Sequence, residues 1–203
     1  MSRNKYKRKE QPERKIRDKV LIMCSGETEK KYFDQFKLKY KDELKSVNVE
    51  IVKHKRDNPY AMAEAGASKE GYDEVWVVFD KDDFPDFNKA IDFARKANIN
   101  CAFSNEAFEY WFLLHFENRT GLVPRSELNK LLTKALGTEY EKASESLTSA
   151  MLEKLEVLEE AERRAQVGHE KHIRESGRNP SDWCSCTTVY QLTKRLRKWS
   201  QIG

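Results

Sequence analysis

Short apolar runs alternate with amphipathic stretches over the first half of the chain. Four runs of strand length, rich in Val, Ile, Trp and Phe, cover residues 20–24, 47–53, 74–79 and 98–103. In the second run, Val47, Val49 and Ile51 alternate with polar residues. Between these runs, apolar residues recur three or four positions apart, which is the spacing of one helical face. Strands that alternate with helices in this way predict an α/β fold with a mostly parallel sheet flanked by helices.

The second half of the chain has a helical pattern instead. Apolar positions with helical spacing extend over 107–115, 128–136 and 151–165. A last helix is predicted after a cap at Thr187 or Thr188. We therefore expect a helical C-terminal half that packs on the sheet and around its edge.

These patterns divide the chain into a basic flexible arm over 1–18, an α/β core over 19–118 and a helical region over 119–203 that packs on the core. Residues 1–19 contain nine Lys and Arg against three acids, whereas the whole chain has a net charge of +4. Such an arm is typical of proteins that bind phosphate backbones, although a solvated tail without a partner has the same composition. A second basic cluster near the C-terminus contains Lys194, Arg195, Arg197 and Lys198.

Composition excludes several classes of protein. Charged residues make up 35% of the chain and hydrophobic residues 38%, which is compatible with a globular domain. There is no apolar run of about 18 residues, so we expect no membrane span, and no apolar segment follows the basic N-terminus as in a secretory signal. Four scattered cysteines do not make a disulfide framework, so we expect a cytoplasmic protein with reduced thiols.

Carboxylates follow two of the predicted strands. Asp80 and Asp82 come directly after the third strand, and Glu27 and Glu29 follow the first, beyond a turn that Gly26 permits. Because ligands collect at the carboxyl ends of parallel strands, these acids are candidates for binding Mg²⁺, which prefers oxygen ligands. The spacing of two places each pair on one side where the backbone is extended. Helix capping explains such acids equally well.

A longer pattern joins these segments. It begins with Val-Leu-Ile-Met-Cys-Ser-Gly-Glu-Thr-Glu-Lys-Lys-Tyr-Phe at 20–33 and Val-Trp-Val-Val-Phe-Asp-Lys-Asp-Asp at 75–83. Ser-Asn-Glu-Ala-Phe-Glu-Tyr-Trp-Phe-Leu-Leu-His-Phe follows at 104–116, with Asn-Pro-Ser at 179–181 and Thr-Thr-Val-Tyr-Gln-Leu at 187–192. Over most of 19–195 this order resembles the RloB family. Members of that family are bacterial, accompany restriction and anti-phage loci, and are similar to Toprim-fold proteins.

The resemblance implies a Toprim-like fold and a site that cuts or rejoins phosphodiester bonds with Mg²⁺ or Mn²⁺. The family's D-x-D pattern falls on Asp80 and Asp82, and the acid of its Phe-Glu helix falls on Glu109. The implied metal ligands are Glu27, Asp80 and Asp82. The implied catalytic residues are these three together with Glu29 and Glu109.

One position departs from the Toprim pattern, which has a glutamate directly before the glycine. Here that position is Ser25, followed by Gly26. A serine is neither a carboxylate base nor a strong metal ligand. Either Glu27 or Glu29 substitutes for the missing acid, or the site is impaired, or the chain has diverged to a binding role.

The resemblance therefore implies a metal-dependent nuclease in anti-phage defence of the abortive-infection kind, with RNA, and tRNA in particular, as the favoured substrate. A DNA nuclease and a catalytically silent module that binds nucleic acid or a partner stay open. Residues predicted to contact the substrate are Asn105, Lys55, Arg56, Arg174 and Arg178. A homodimer or a partner defence protein is also expected.

Overall fold

The computed structural model describes residues 17–177 and 179–199, so most of the predicted N-terminal arm lies outside it. Its strands are β1 (Asp18–Cys24), β2 (Val47–Lys53), β3 (Glu74–Asp80), β4 (Asn100–Asn105) and β5 (Cys186–Thr187). Its α-helices are α1 (Glu27–Lys39), α2 (Pro59–Ala67), α3 (Phe87–Lys96), α4 (Glu109–Phe116), α5 (Arg125–Leu136), α6 (Glu145–Leu152), α7 (Leu155–Glu175) and α8 (Val189–Trp199).

The strands form one sheet in the order β2-β1-β3-β4-β5. The first four are parallel, and only β5 runs antiparallel, pairing with the end of β4. The carboxyl ends of β1 and β3 are therefore neighbours, with Cys24 opposite Val78 in the register. The predicted α/β fold with a mostly parallel sheet and a helical C-terminal half is confirmed.

Both faces of the sheet are covered. Val20 and Ile22 point into one core, whereas Leu21 and Met23 point into the other, and each of these four side chains is at most 1% exposed. Helices α2 and α3 cover one face, and α1, α4 and the later helices cover the other. This two-sided burial explains why the central strands β1 and β3 are continuous apolar runs, whereas the edge strand β2 alternates apolar and polar residues.

Helix α4 lies at the centre of the thicker layer. Every residue from Glu109 to His115 is buried. The helix contacts β4 as well as α5 and α7, so it is enclosed by the sheet and the helices of the second half. A helix that is apolar on all sides needs such enclosure. In the described ranges no helix has the length and apolar character needed to cross a membrane.

The structure differs from the sequence-based elements at two places. The helix predicted over 151–165 is two helices, because Lys154 has extended backbone angles that separate α6 from α7. The two-residue strand β5 occupies the place where only a helix cap was expected.

Close packing of α2 against the sheet gives a first prediction. A Cβ atom added at Gly66 would lie 2.8 Å from Val77 Cγ1 and 3.2 Å from Ile99 Cδ1. We expect Gly66→Ala to lower the free energy of unfolding by about 1–3 kcal/mol, because buried methyl groups must move aside. Urea unfolding followed by circular dichroism measures this change.

The matched control is the same substitution at Gly168 in α7, where an added Cβ meets nothing within 4 Å. There we expect a gain of about 0.5–1 kcal/mol, because alanine restricts the unfolded chain more than glycine does. Equal effects at both positions would contradict the packing argument.

Candidate carboxylate site at the sheet edge

A cavity of about 330 Å³ lies at the carboxyl ends of β1 and β3. It is strongly acidic, and the turn after β1, the turn after β3, the loop after β2 and the start of α4 all contribute to it. Its carboxylate residues are Glu27, Glu29, Asp57, Asp80, Asp82 and Glu109. The structure thus brings the five acids with predicted catalytic roles to one cavity.

Asp80 is the last residue of β3 and belongs to this cluster. Its Oδ1 atom is buried and has no hydrogen-bond partner among the described residues. Burial, together with the nearby charges of Glu29 and Glu109, raises the pKa of Asp80 well above its ordinary value. Ionisation of Asp80 is therefore unfavourable at this position, and a cation between the acids would favour the charged form.

The turn after β1 holds Glu29 inward. Ser25 Oγ donates a hydrogen bond to Glu29 Oε1 at 2.8 Å, and the glutamate is 4% exposed. A Cβ atom on Gly26 would lie 2.5 Å from Glu29 Oε2, so the glycine makes room for this carboxylate. Burial and the charge of Glu109 raise the pKa of Glu29. Ser25 is thus a hydrogen-bond donor to the acid that lies four residues later.

Glu27 has a different environment. Its side chain is 54% exposed, and its Oε1 lies 3.1 Å from Lys53 Nζ at the end of β2. Glu27 and Glu29 both belong to the first turn of α1, where the helix dipole favours negative charge. Of the two acids that follow Gly26, Glu29 is therefore the one that lies buried beside Asp80, and Glu27 lies at the rim.

Asp82 reaches the cavity through a turn and not along a strand. β3 ends at Asp80, and Asp82 has a φ of 42°, in the left-handed region that aspartate tolerates better than most residues. Its carboxylate forms an ion pair with the guanidinium of Arg125, the first residue of α5. Asp80 and Asp82 thus line the same cavity, although strand geometry does not persist between them.

Glu109 begins α4 and is 4% exposed. Its Oε1 accepts a hydrogen bond from the Tyr140 hydroxyl at 3.4 Å and lies 3.4 Å from Lys142 Nζ. Burial and the charge of Glu109 raise the pKa of Tyr140, so this hydroxyl keeps its proton. Arg125, Tyr140 and Lys142 were not predicted, because they lie in segments without a recognisable motif and reach the acids only through the fold.

The acids do not converge as a preformed coordination sphere. Within residues 17–177 and 179–199, no group of three or more His, Cys, Asp or Glu side chains is placed to hold a metal ion. Two contacts explain this, since Arg125 holds the carboxylate of Asp82 and Ser25 holds that of Glu29. The donor atoms themselves are hard oxygens, the type that Mg²⁺ and Mn²⁺ prefer, and Asp80 Oδ1 is available.

Three of the predicted substrate contacts have clear positions. Lys55 and Arg56 are exposed on the loop after β2, directly before Asp57, which lines the cavity. Asn105 is buried, and its amide nitrogen donates to the carbonyl oxygens of Pro180 and Trp183, each at 2.9 Å. The basic loop therefore borders the acids, whereas Asn105 fixes the segment that leads to β5.

Arg174 does not line the acidic cavity. It is exposed near the end of α7, where its neighbour Ile173 lines a separate cavity of about 820 Å³ that shares no residue with the acidic one. Arg178 lies outside the described residues. In the C-terminal cluster, Lys194 Nζ donates to Gln166 Oε1 at 2.6 Å. Arg195 pairs with Glu74, and Arg197 pairs with Glu162, so these three cations have partners among the described residues.

Comparison with known proteins adds one finding. The family model described as RloB-like protein matches residues 20–196 of the 203, a range that contains every acid of the cavity. No curated protein and no solved structure matches the chain. The matched range begins inside β1, contains the other four strands and α1 to α7, and ends inside α8. On this evidence the chain belongs to the RloB family.

Proposed function

We propose that the chain is a nuclease that cleaves phosphodiester bonds of nucleic acid and depends on Mg²⁺ or Mn²⁺. The observation that carries the proposal is Asp80, whose buried Oδ1 has no hydrogen-bond partner among the described residues, while burial and the charges of Glu29 and Glu109 raise its pKa. A buried ionised carboxylate in this state is costly unless a cation neutralises it, and without one the group tends to keep its proton. Grouped acids at the ends of parallel strands are well suited to that role.

In this proposal Asp80 and Asp82 hold the metal, and either Glu29 or Glu27 completes the set. The position of Glu29 favours it, since it is buried beside Asp80 while Glu27 is paired with Lys53. A divalent cation bound there would polarise a phosphoryl oxygen and steady the attacking or leaving oxygen. The protein's part is to orient the carboxylates and to keep the phosphodiester at the cavity.

The substrate class rests on two kinds of support. Lys53, Lys55 and Arg56 place positive charge next to the cavity, as binding of a phosphate backbone requires. Membership of the RloB family favours RNA, with tRNA as the first candidate, and a role in anti-phage defence. DNA is the second candidate. The same proposal places the protein in the cytoplasm, as a homodimer or with a partner defence protein.

The direct test is a cleavage assay. Purified protein with Mg²⁺ or Mn²⁺ is incubated with total tRNA and with supercoiled plasmid DNA, and the products are resolved on gels. We expect tRNA fragments with the metal, and no fragments when EDTA is added. Cleavage that persists in EDTA would exclude a metal-dependent reaction, and intact tRNA with nicked plasmid would make DNA the substrate.

A second function, a silent binding module, is favoured by a specific observation. Ser25 stands where the Toprim pattern has a glutamate, and its hydroxyl is engaged with Glu29. If the wild type binds tRNA without cutting it, while Ser25→Glu cuts it, the missing acid is the cause and the silent module is correct. The matched control is Ser25→Gln, because glutamine has the size of glutamate without its charge. This variant should remain inactive.

A further inference from the structure

The acidic cavity contains two positive charges that the carboxylate mechanism does not use. Six carboxylate residues line the cavity, and among its described lining residues only Arg125 and Lys142 are cationic. Each is held by an acid with a predicted catalytic role. Arg125 pairs with Asp82, and Lys142 Nζ lies 3.4 Å from Glu109 Oε1. Both cations therefore line the cavity and contact its acids.

The fold fixes where Arg125 can reach. It is the first residue of α5, and its backbone nitrogen donates to Glu106 Oε2 at 3.1 Å, just beyond the end of β4. This hydrogen bond fixes the start of α5 near the carboxyl end of β4. The Arg125 side chain is 39% exposed, so it contacts both Asp82 and solvent. Lys142 comes from the segment between α5 and α6 and is 57% exposed. Both cations thus stand at the mouth of the cavity.

Arg125 shares the carboxylate of Asp82 with the proposed metal ion, and the phosphodiester of the substrate offers it another anionic partner. When the charge of Asp82 is directed to a metal ion, the guanidinium keeps its own charge but loses its share of that carboxylate. A phosphodiester that enters the cavity offers anionic oxygens, and the planar guanidinium binds two of them at once. The ammonium of Lys142 is a point charge that suits a single oxygen.

We propose that Arg125, assisted by Lys142, binds the non-bridging oxygens of the phosphodiester at this cavity. The inference rests on the proposed function, because it names how the substrate is held at the same site. Asp82 is then a partner shared between the guanidinium and the metal ion. The shared chemistry is the phosphodiester group, and RNA and DNA are separated by the probes used in the test.

The test measures binding, so that it does not depend on cleavage. Fluorescence anisotropy follows a fluorescein-labelled tRNA, and separately a labelled DNA hairpin, in Ca²⁺ over a series of salt concentrations. For Arg125→Met we expect binding about tenfold weaker, and a slope of log affinity against log salt that is smaller by about 0.7–0.9, the value of one lost phosphate contact. Arg125→Lys keeps the charge and should keep most of the slope.

The matched control is Lys130→Met, which removes one charge from an exposed position of the same helix. Its slope should equal that of the wild type, and thermal melting shows whether each variant is folded. A folded Arg125→Met variant that keeps the wild-type affinity and salt slope would overturn the proposal. The proposal would also be overturned if Arg125→Lys lowered the salt slope as much as Arg125→Met does. If Arg125→Met is unfolded, the proposal is tested with Arg125→Lys and Lys142→Met instead. Wild-type binding by both of these variants would overturn the proposal.

The two proposals can fail separately. If the wild type cuts neither probe in Mg²⁺, the nuclease is refuted. If Arg125→Met nevertheless reduces the slope of log affinity against log salt, the phosphate contact is still supported. A wild type that cuts, with Arg125→Met cutting and binding equally well, would refute only the contact. A wild type that binds neither probe would refute both.

Discussion

Replacing Asp80 with Asn is expected to abolish metal-dependent cleavage of tRNA, with a loss of at least about 100-fold, since even indirect partners of metal ligands contribute 10- to 100-fold. The substitution keeps the size of the side chain at the end of β3 and removes the carboxylate whose Oδ1 is buried without a hydrogen-bond partner. Initial rates of fragment formation at saturating Mg²⁺ measure the effect.

The same substitution, which should abolish cleavage, should raise the stability of the protein in EDTA. Burial and the charges of Glu29 and Glu109 raise the pKa of Asp80, so a neutral side chain there avoids the cost of ionisation and should raise the melting temperature. A gain of 1 kcal/mol corresponds to about 2–4 °C for a chain of this length. Added Mg²⁺ should stabilise the wild type, by about 2.7 kcal/mol at a concentration 100 times the Kd, and should leave the Asp80→Asn variant unchanged.

The control for both measurements is Asp83→Asn. Asp83 is exposed in the turn after β3 and does not line the cavity. It should keep the wild-type cleavage rate and the Mg²⁺-dependent rise in melting temperature. An Asp80→Asn variant that is as active as Asp83→Asn would remove Asp80 from the mechanism, whatever its effect on stability.

The largest expected effect on stability comes from the ion pair that joins α7 to α8. The Glu162 side chain is fully buried, and Arg197 Nη2 donates to its Oε2 at 2.6 Å. Arg197 also donates to Glu159 Oε1 at 2.9 Å. Arg197→Met leaves a buried carboxylate without this partner, so we expect a loss of about 3 kcal/mol or more, or about 6–12 °C in melting temperature.

Two further variants decide whether the charge is the cause. Lys198→Met removes a charge from an exposed position of the same helix and should change the unfolding free energy by less than about 0.5 kcal/mol. The double variant Glu162→Met with Arg197→Met removes both charges and should recover most of the loss, since apolar residues often replace buried ion pairs without cost. A double variant as unstable as Arg197→Met would assign the effect to packing.

The sheet was predictable because the central strands β1 and β3 are buried on both faces, whereas the edge strand β2 alternates buried and exposed residues in its first half. A strand such as β1 must be apolar at consecutive positions, and that demand is visible in the sequence. The break between α6 and α7 was not visible, because Leu152 and Leu155 are three positions apart whether one helix or two contains them. Strand β5 is only two residues long, and its pairing with β4 is a long-range contact that no local pattern records.

The candidate site was predictable to a similar extent. Acids that follow parallel strands lie at the carboxyl end of the sheet by topology alone, and Asp80, Asp82 and Glu29 all line the cavity. What the sequence did not distinguish was the direction of Glu27 and Glu29, since the start of α1 decides which one turns inward. Arg125 and Lys142 were missed because they are distant in sequence and become neighbours of the acids only when the helices pack.

The pairing of β4 with β5 also has a consequence for synthesis of the chain. Ser104 pairs with Thr187, and Asn105 with Cys186, so the edge of the sheet is closed by residues made about eighty positions later. A ribosome therefore releases most of the protein before this edge has its partner, and contacts of such long range slow folding. Until then, the end of β4 presents unpaired backbone groups of the kind that chaperones shield.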